Sequence, residues 1–163
     1  MQDMERLYLE HAKTVYRYIV SLCRDPALAE DITQETFCRA LRCIHTYNGA
    51  CKVSVWLCQI AKHIWYQELE KRKKGRPEPL DSEILSTEET PEKAILSSEE
   101  RLLFFKALHR LEESVREVVY LRLTGEFSFR EIGEILGREE SWARVAFYRA
   151  KQRIMKGMNE DEM

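Results

Sequence analysis

The sequence predicts an all-α protein: two small helical domains joined by an acidic flexible linker. Three observations predict it. Glycine and proline are scarce, 6 and 4 among 163 residues, while Leu, Glu, Lys and Arg are abundant, a balance that favours long helices over turns. Apolar residues recur at steps of three and four in both halves of the chain. Between the halves, residues 77–100 hold eight acidic side chains against one basic, Lys93, with Pro77, Pro79 and Pro91 set among Ser and Thr. That composition reads as a solvated spacer. The expected boundaries are 1–74, 75–96 and 97–158.

In the first half, Tyr8, Ala12, Val15, Ile19 and Leu22 form the stripe of one helix. Asp25-Pro26 offers an N-cap and a first-turn proline for the next. That second helix should run to about Thr46. Its inward face is Ala29, Ile32, Thr33, Thr36, Phe37, Ala40 and Ile44, and its opposite arc is Asp31, Gln34, Glu35, Cys38 and Arg42. Tyr47-Asn48-Gly49-Ala50 reads as a turn. A third helix places Val53, Trp56, Leu57, Ile60 and Ile64 inward and Val55, Gln59, Lys62 and Tyr66 outward. Trp65, Tyr66 and Lys62 should lie at a partly exposed helix end, before the basic run Lys71-Arg72-Lys73-Lys74-Gly75-Arg76. The polar stripe on the second helix and the basic-aromatic stripe on the third fit plain solvated faces. The third also fits stacking on unpaired bases and neutralising phosphates.

In the second half, Ser114-Val115-Arg116-Glu117 and Ser128-Phe129-Arg130-Glu131 have the spacing of capping boxes. The first should open a helix that ends at Gly125. The second should open a short helix with Phe129, Ile132, Ile135 and Leu136 apolar, followed by a turn at Gly137-Arg138-Glu139. A longer helix then runs from about Glu140 to Gly157, with Ala143, Phe147, Ala150 and Ile154 inward. Short helix, glycine turn and longer helix is the helix-turn-helix layout. Gly133 sits where the two helices must approach closely. The outer face of the second helix carries Ser141, Val145, Tyr148, Arg149 and Gln152, with Arg144 at its edge. Arginines there suit guanine edges, and Arg130, Arg138 and Lys151 suit phosphates.

Composition narrows the function. The net charge of −2 conceals segregation: residues 101–158 hold 12 basic and 8 acidic side chains, and the run 71–76 holds five basic ones. A near-neutral chain binds duplex DNA weakly by itself, because phosphate neutralisation dominates affinity. A binding subunit of a larger machine is therefore favoured. No run of about 18 apolar residues is present, so no membrane-spanning helix is expected. Met1–Arg6 is acidic without an apolar core, so no secretory leader is expected and the cytoplasm is the expected compartment. The five cysteines, Cys23, Cys38, Cys43, Cys51 and Cys58, are then expected as thiols, most of them small buried apolar residues. Cys38, Cys43 and His45 match no common zinc spacing, so no metal and no cofactor is expected. No phosphate-cradling glycine loop, HExxH or nucleophile-base constellation occurs, and an enzyme is not expected.

Taken in order, several segments carry a resemblance. They are Ala29-Glu30-Asp31-Ile32-Thr33-Gln34-Glu35-Thr36-Phe37, Trp56-Leu57-Cys58-Gln59-Ile60-Ala61-Lys62-His63, Arg116-Glu117-Val118-Val119-Tyr120-Leu121-Arg122, Phe129-Arg130-Glu131-Ile132-Gly133-Glu134-Ile135-Leu136-Gly137 and Tyr148-Arg149-Ala150-Lys151. Over about residues 4–157 the chain resembles the sigma-70 family, in its short extracytoplasmic-function group. The resemblance implies a promoter-recognition subunit of bacterial core RNA polymerase, with no small-molecule substrate. Asp31, Gln34, Glu35 and Arg42 would dock on the polymerase. The turn holding Tyr47, Asn48 and Lys52 would capture a flipped base of the −10 element. Gln59, Lys62, His63 and Tyr66 would read and melt that element. Arg130, Arg138, Ser141, Arg144, Val145, Tyr148, Arg149 and Lys151 would bind the −35 element, with Arg144, Val145, Tyr148 and Arg149 at base edges. An anti-sigma factor, often membrane-anchored in this group, is the further partner implied. His63 and Gln67 depart from the Asn and Asp of many members, and Trp142-Ala143 from a common Thr-Val pair, which bears on the promoter sequence and not on the class. The competing reading is an autonomous helix-turn-helix regulator of duplex DNA.

Overall fold

Seven α-helices build the computed structural model, which describes residues 2–74, 98–124 and 127–162. The expected linker 75–96, and the expected helix end at Gly125, lie outside the described residues. The helices are α1 (Gln2–Cys23), α2 (Pro26–Cys43), α3 (Val53–Lys74), α4 (Ser98–His109), α5 (Glu113–Thr124), α6 (Phe129–Leu136) and α7 (Glu140–Glu162), with a 3₁₀ turn at Ile44–Thr46 after α2.

The first three helices pack on one another. α1 ends at Cys23, and the amide of Arg24 just beyond it returns to the Val20 carbonyl at 2.9 Å from a left-handed backbone position (φ 56°). Asp25 then caps α2 as its sequence implied, its Oδ1 accepting from the amides of Ala27 and Leu28 at 3.1 and 3.2 Å. Inside α2, the buried hydroxyls of Thr33 and Thr36 donate to the carbonyls of Ala29 and Ile32, each at 2.7 Å, so no polar group is stranded. Two expected inward residues sit at the edge: Ile44 is exposed, and Tyr8 reaches only the rim of the core, where its ring meets Phe37 edge-on.

In the second half, α4, α5 and α6 all pack on α7. α4 has no strong periodic signal and was not anticipated. It packs so closely on α7 that a Cβ on Gly157 would stand 3.3 Å from the Ala107 Cβ. α6 begins with the expected capping box: Ser128 Oγ accepts from the Glu131 amide and Glu131 accepts from the Ser128 amide. It ends on Gly137 in the left-handed conformation (φ 69°), which suits glycine. The other expected capping box is absent. α5 starts one residue before Ser114, its first turn closed by the Arg116 amide on the Glu112 carbonyl, and Glu117 does not reach back to a helix end. α7 runs five residues beyond Gly157, the expected end, to Glu162.

The two halves do not stand apart. α3 packs on α6 and α1 on α5, and one hydrophobic cluster joins Val15, Ile19, Leu57 and Ala61 to Val118, Leu121, Phe129 and Ile132. This corrects the third-helix assignment. Val55 and Trp65, placed outward or at an exposed end, are buried at 0% and 1%, whereas Trp56, placed inward, is only half-buried. A helix covered on two sides does not show one apolar stripe, so its periodicity misleads.

Gly133 is fixed by a close approach. A Cβ there would lie 2.6 Å from the Arg138 carbonyl oxygen, a backbone atom that cannot swing away. In an open helix Gly→Ala stabilises by up to ~1 kcal/mol. Here Gly133→Ala is expected to destabilise by about 1–3 kcal/mol, read as a lower urea midpoint. An unchanged or raised midpoint would refute the close approach.

Candidate nucleic-acid interface

Three surfaces carry the residues singled out from sequence. On α2, Asp31, Gln34, Cys38 and Arg42 are exposed along one face and Glu35 is half-buried among them. Glu35 accepts from Arg39 Nε and Arg42 Nη2, both at 3.2 Å. Those guanidinia, Arg39 first, hold its carboxyl below the usual range. The face is therefore acidic at Asp31 and internally paired at Glu35.

The outer face of α7 is open. Ser141, Arg144, Val145, Tyr148, Arg149 and Lys151 are all exposed, Val145 by 47% and Tyr148 by 53%. Apolar and aromatic groups this exposed on a rigid helix suit contact with base edges and methyl groups. Arg144 is held by Glu140 at 2.9 Å and lies over the Phe129 ring. Arg138 stacks on Trp142, so the tryptophan steers a cation at the turn. Arg130 is exposed beside Glu134 at 3.6 Å.

The third surface, on α3, is partly covered. Gln59 Nε2 donates to the Glu134 carbonyl at 2.8 Å, and Lys62 Nζ donates to the Ile135 carbonyl at 3.4 Å. Both carbonyls belong to the last turn of α6, where no helical amide is available to them. A cation at that negative helix end is also favoured by the helix dipole. Lys52 adds an ion pair to Glu131 at 3.4 Å. Two of the four helix positions expected to read DNA are thus occupied as caps of a helix from the other half. His63 is exposed and Tyr66 is 40% exposed.

Glu117 lies at the centre of this seam, 2% exposed. The Tyr18 hydroxyl donates to it at 3.1 Å and the Tyr66 hydroxyl, more weakly, at 3.5 Å. Burial raises its pKa above the usual carboxylate range, partly opposed by the nearby Lys62 ammonium. Burial pulls the Lys62 pKa down and pushes Tyr66 up to about 12. Sequence reasoning gave Glu117 a capping role. A buried acid in a segment that reads as a helix start carries no local mark of a long-range partner.

Beside the seam, Arg39, Cys43, Trp56, Gln59, Ile60 and His63 line an open hollow of about 320 Å³. Tyr47 stands next to it, its ring 5.0 Å from Trp56 and its hydroxyl donating to the Cys51 carbonyl at short range. Asn48 Oδ1 accepts from the Ala50 amide at 2.9 Å, which sets the turn and makes its side chain a brace. Of the hollow's lining, Arg39, Cys43, Trp56 and Ile60 were missed; Arg39 sits between the faces assigned to α2, and Cys43 on the arc read as core. Only Cys23 and Cys58 are fully buried, while Cys38 and Cys43 are exposed, so burial explains fewer cysteines than expected. Among the described residues no group of three His, Cys, Asp or Glu side chains converges as metal ligands, and no helix is long and apolar enough to cross a membrane.

Residues 7–75 match the family model Sigma-70 region 2, and residues 101–154 match Sigma-70, region 4. The chain belongs to the sigma-70 family. Within it, the chain is 34% identical to the ECF RNA polymerase sigma factor BldN of Streptomyces coelicolor, covering 96% of this chain and 60% of that protein. It is 27% identical to the ECF RNA polymerase sigma factor SigM of Bacillus subtilis, covering 97% of this chain and 99% of that one. These relatives place it in the extracytoplasmic-function group. Among solved structures, the sigma factor RpoE of Bartonella quintana, in complex with the anti-sigma factor NepR, superposes with a TM-score of 0.77 at 20% identity over 98% of both chains, a likeness of fold. In sigma-70 terms, α1–α3 lie in region 2 and α4–α7 carry region 4, and the seam is a contact between regions 2 and 4.

The raised pKa of Glu117 makes a signed prediction. The packed form binds this proton more tightly than a solvated carboxyl does, so its stabilising share is complete at pH below the ordinary carboxylate pKa. That share is lost as pH rises through the raised one. Glu117→Gln keeps an acceptor for Tyr18 and cannot ionise. The melting temperature of this variant relative to the parent is expected to climb with pH from about pH 4 towards neutrality. A difference independent of pH would contradict the assignment.

Proposed function

We propose that this chain is a sigma factor that binds bacterial core RNA polymerase in the cytoplasm and directs promoter-specific initiation, without enzymatic chemistry of its own. The observation that carries the reading is the pair of family matches, region 2 and then region 4, in order on one chain. The match at residues 7–75 also disfavours an autonomous regulator, which would need a dimerisation or effector unit there. The proposed division is region 2 within 1–74, a tether at 75–96 and region 4 within 97–158.

In this reading the α2 face of Asp31, Gln34, Glu35 and Arg42 docks on the polymerase. The Tyr47–Lys52 turn and the adjoining hollow take an unstacked base of the −10 element, and Gln59, Lys62, His63 and Tyr66 line the melted strand. Melting costs about 1.4 kcal/mol per stacking step. A base held in a recess and others stacked on Tyr66 or Trp56 offset part of that. Region 4 reads the −35 element through Arg144, Val145, Tyr148 and Arg149, with Arg130, Arg138, Ser141 and Lys151 as backbone contacts. Because Gln59 and Lys62 cap α6 in the packed chain, reading the −10 element requires α6 to leave α3. An anti-sigma factor is the expected regulator, as solved relatives of this fold are complexes with NepR and CnrY.

Transcription in vitro tests this. Purified protein with bacterial core polymerase on sheared genomic DNA should yield discrete RNA 5′ ends that share upstream motifs near −35 and −10. No specific start, with a housekeeping sigma factor active in parallel, would sink the reading. Asp31→Arg with Glu35→Arg should abolish core binding in a pull-down while the helical circular dichroism signal stays. Arg149→Ala should lose discrimination at one −35 base pair, about 1–3 kcal/mol in binding. An equal loss on every −35 sequence would instead make Arg149 a phosphate contact.

A further inference from the structure

Away from the DNA-reading surfaces, the α1–α2 corner meets α4 and α5 through a knot of positive charge. Arg24 Nη2 lies at very short hydrogen-bond range from His109 Nδ1, and Arg116 Nη1 approaches the same nitrogen at 3.3 Å. Two guanidinia therefore point at one acceptor. A neutral imidazole has a single such lone pair, whereas each guanidinium offers about five N–H donors. Among the described residues neither Arg24 nor Arg116 has a carboxylate within ion-pair distance. The nearby acids are engaged elsewhere: Asp25 caps α2, and Glu117 takes Tyr18 and Tyr66. The Tyr120 hydroxyl is the other polar group within electrostatic reach of both arginines.

The surroundings bear the marks of crowded like charge. Burial first, then Arg24 and Arg116, hold the His109 pKa below its usual value. Arg24 is itself lowered by burial and by Arg116. Its left-handed φ of 56° is the one positive φ at a non-glycine position among the described residues. For a non-glycine residue that conformation costs on the order of 1–2 kcal/mol. The strained corner aims a cation into the junction where glycine would end α1 without strain.

We propose that Arg24, Arg116 and His109 form a binding recess for a tetrahedral phosphate-type oxyanion, which fastens the α1–α2 corner of region 2 to the α4–α5 part of region 4. Oxyanions supply the several acceptor lone pairs that the two guanidinia lack, in the fork geometry that suits them. With an anion between the arginines, His109 turns from shared acceptor to further donor. The occupied site holds regions 2 and 4 together, so a phosphorylated small molecule would favour the packed chain over the form that engages a promoter. This site shares no residue with the DNA-reading surfaces; anion binding is testable without the transcription reading, and only its effect on promoter engagement rests on that reading.

Isothermal titration of the full chain with inorganic phosphate, at ionic strength held constant with chloride, tests the recess directly. A second arm uses a single-stranded oligonucleotide as competitor. Saturable phosphate binding is expected, weakened about tenfold or more by Arg24→Gln and by Arg116→Gln and unchanged by Arg6→Gln, an exposed arginine at the far end of α1. Phosphate should also shift the His109 ring resonances, a readout on the unaltered chain should a variant fail to fold. Retention of phosphate against excess oligonucleotide identifies a free phosphorylated molecule as the ligand. Displacement that Arg116→Gln abolishes identifies a nucleic-acid phosphate in the same recess. Absence of saturable binding by the parent chain, or equal loss in Arg6→Gln, overturns the proposal.

Discussion

The last turn of α6 has carbonyls that no helical amide can reach, and the rest of the arrangement depends on what satisfies them. In the packed chain Gln59 and Lys62 of α3 do so. Each helix end must find such partners or meet water, and here the partners come from the half of the chain that also carries the proposed −10 surface. Capping α6 and touching DNA are therefore alternative uses of the same two side chains. Around them Glu117 is buried under Tyr18 and Tyr66, and Lys52 meets Glu131. The seam combines a hydrophobic cluster with a small set of directional polar contacts. The first supplies most of the adhesion, and the second fixes which surfaces meet.

The three proposed functional surfaces are consequently unequal before any partner arrives. The α2 face and the α7 face are open, and region 4 covers the α3 face at Gln59 and Lys62. In the proposed reading, polymerase docking and −35 reading are thus available to the packed chain, whereas Gln59 and Lys62 are not free to meet a melted −10 strand. The order is physically reasonable for a subunit that draws its DNA affinity from a larger complex: the net charge of −2 gives the free chain little hold on duplex DNA. In that reading the proposed melting surface stays partly covered until region 4 has another surface to occupy.

Much of this was legible from sequence. The Asp25-Pro26 cap, the Ser128–Glu131 capping box, the glycine at 137 and the close approach at Gly133 are local signals, and each survived intact. The outer face of α7 followed from helical spacing alone. What failed was non-local. Val55 and Trp65 are buried because a second helical unit covers α3, and no feature within α3 announces that cover. Glu117 carried the spacing of a cap and instead lies in the seam, because its partners Tyr18 and Tyr66 are 99 and 51 positions away. α4 was missed because its outer side carries exposed Leu102 among charged residues, so it shows no clean polar face. The hollow beside Tyr47 draws on two helices, and its lining is invisible until they are packed.

The central claim is that regions 2 and 4 are packed in the free chain and part when it works. The most direct test is the distance between positions 67 and 113, exposed residues flanking the Tyr66–Glu117 contact, measured with paired non-cysteine spin labels because Cys38 and Cys43 are also exposed. The account predicts one short, narrow distance in the free chain and a long one in the complex with core polymerase. A broad, long distribution in the free chain, or a short distance retained in the complex, would contradict it.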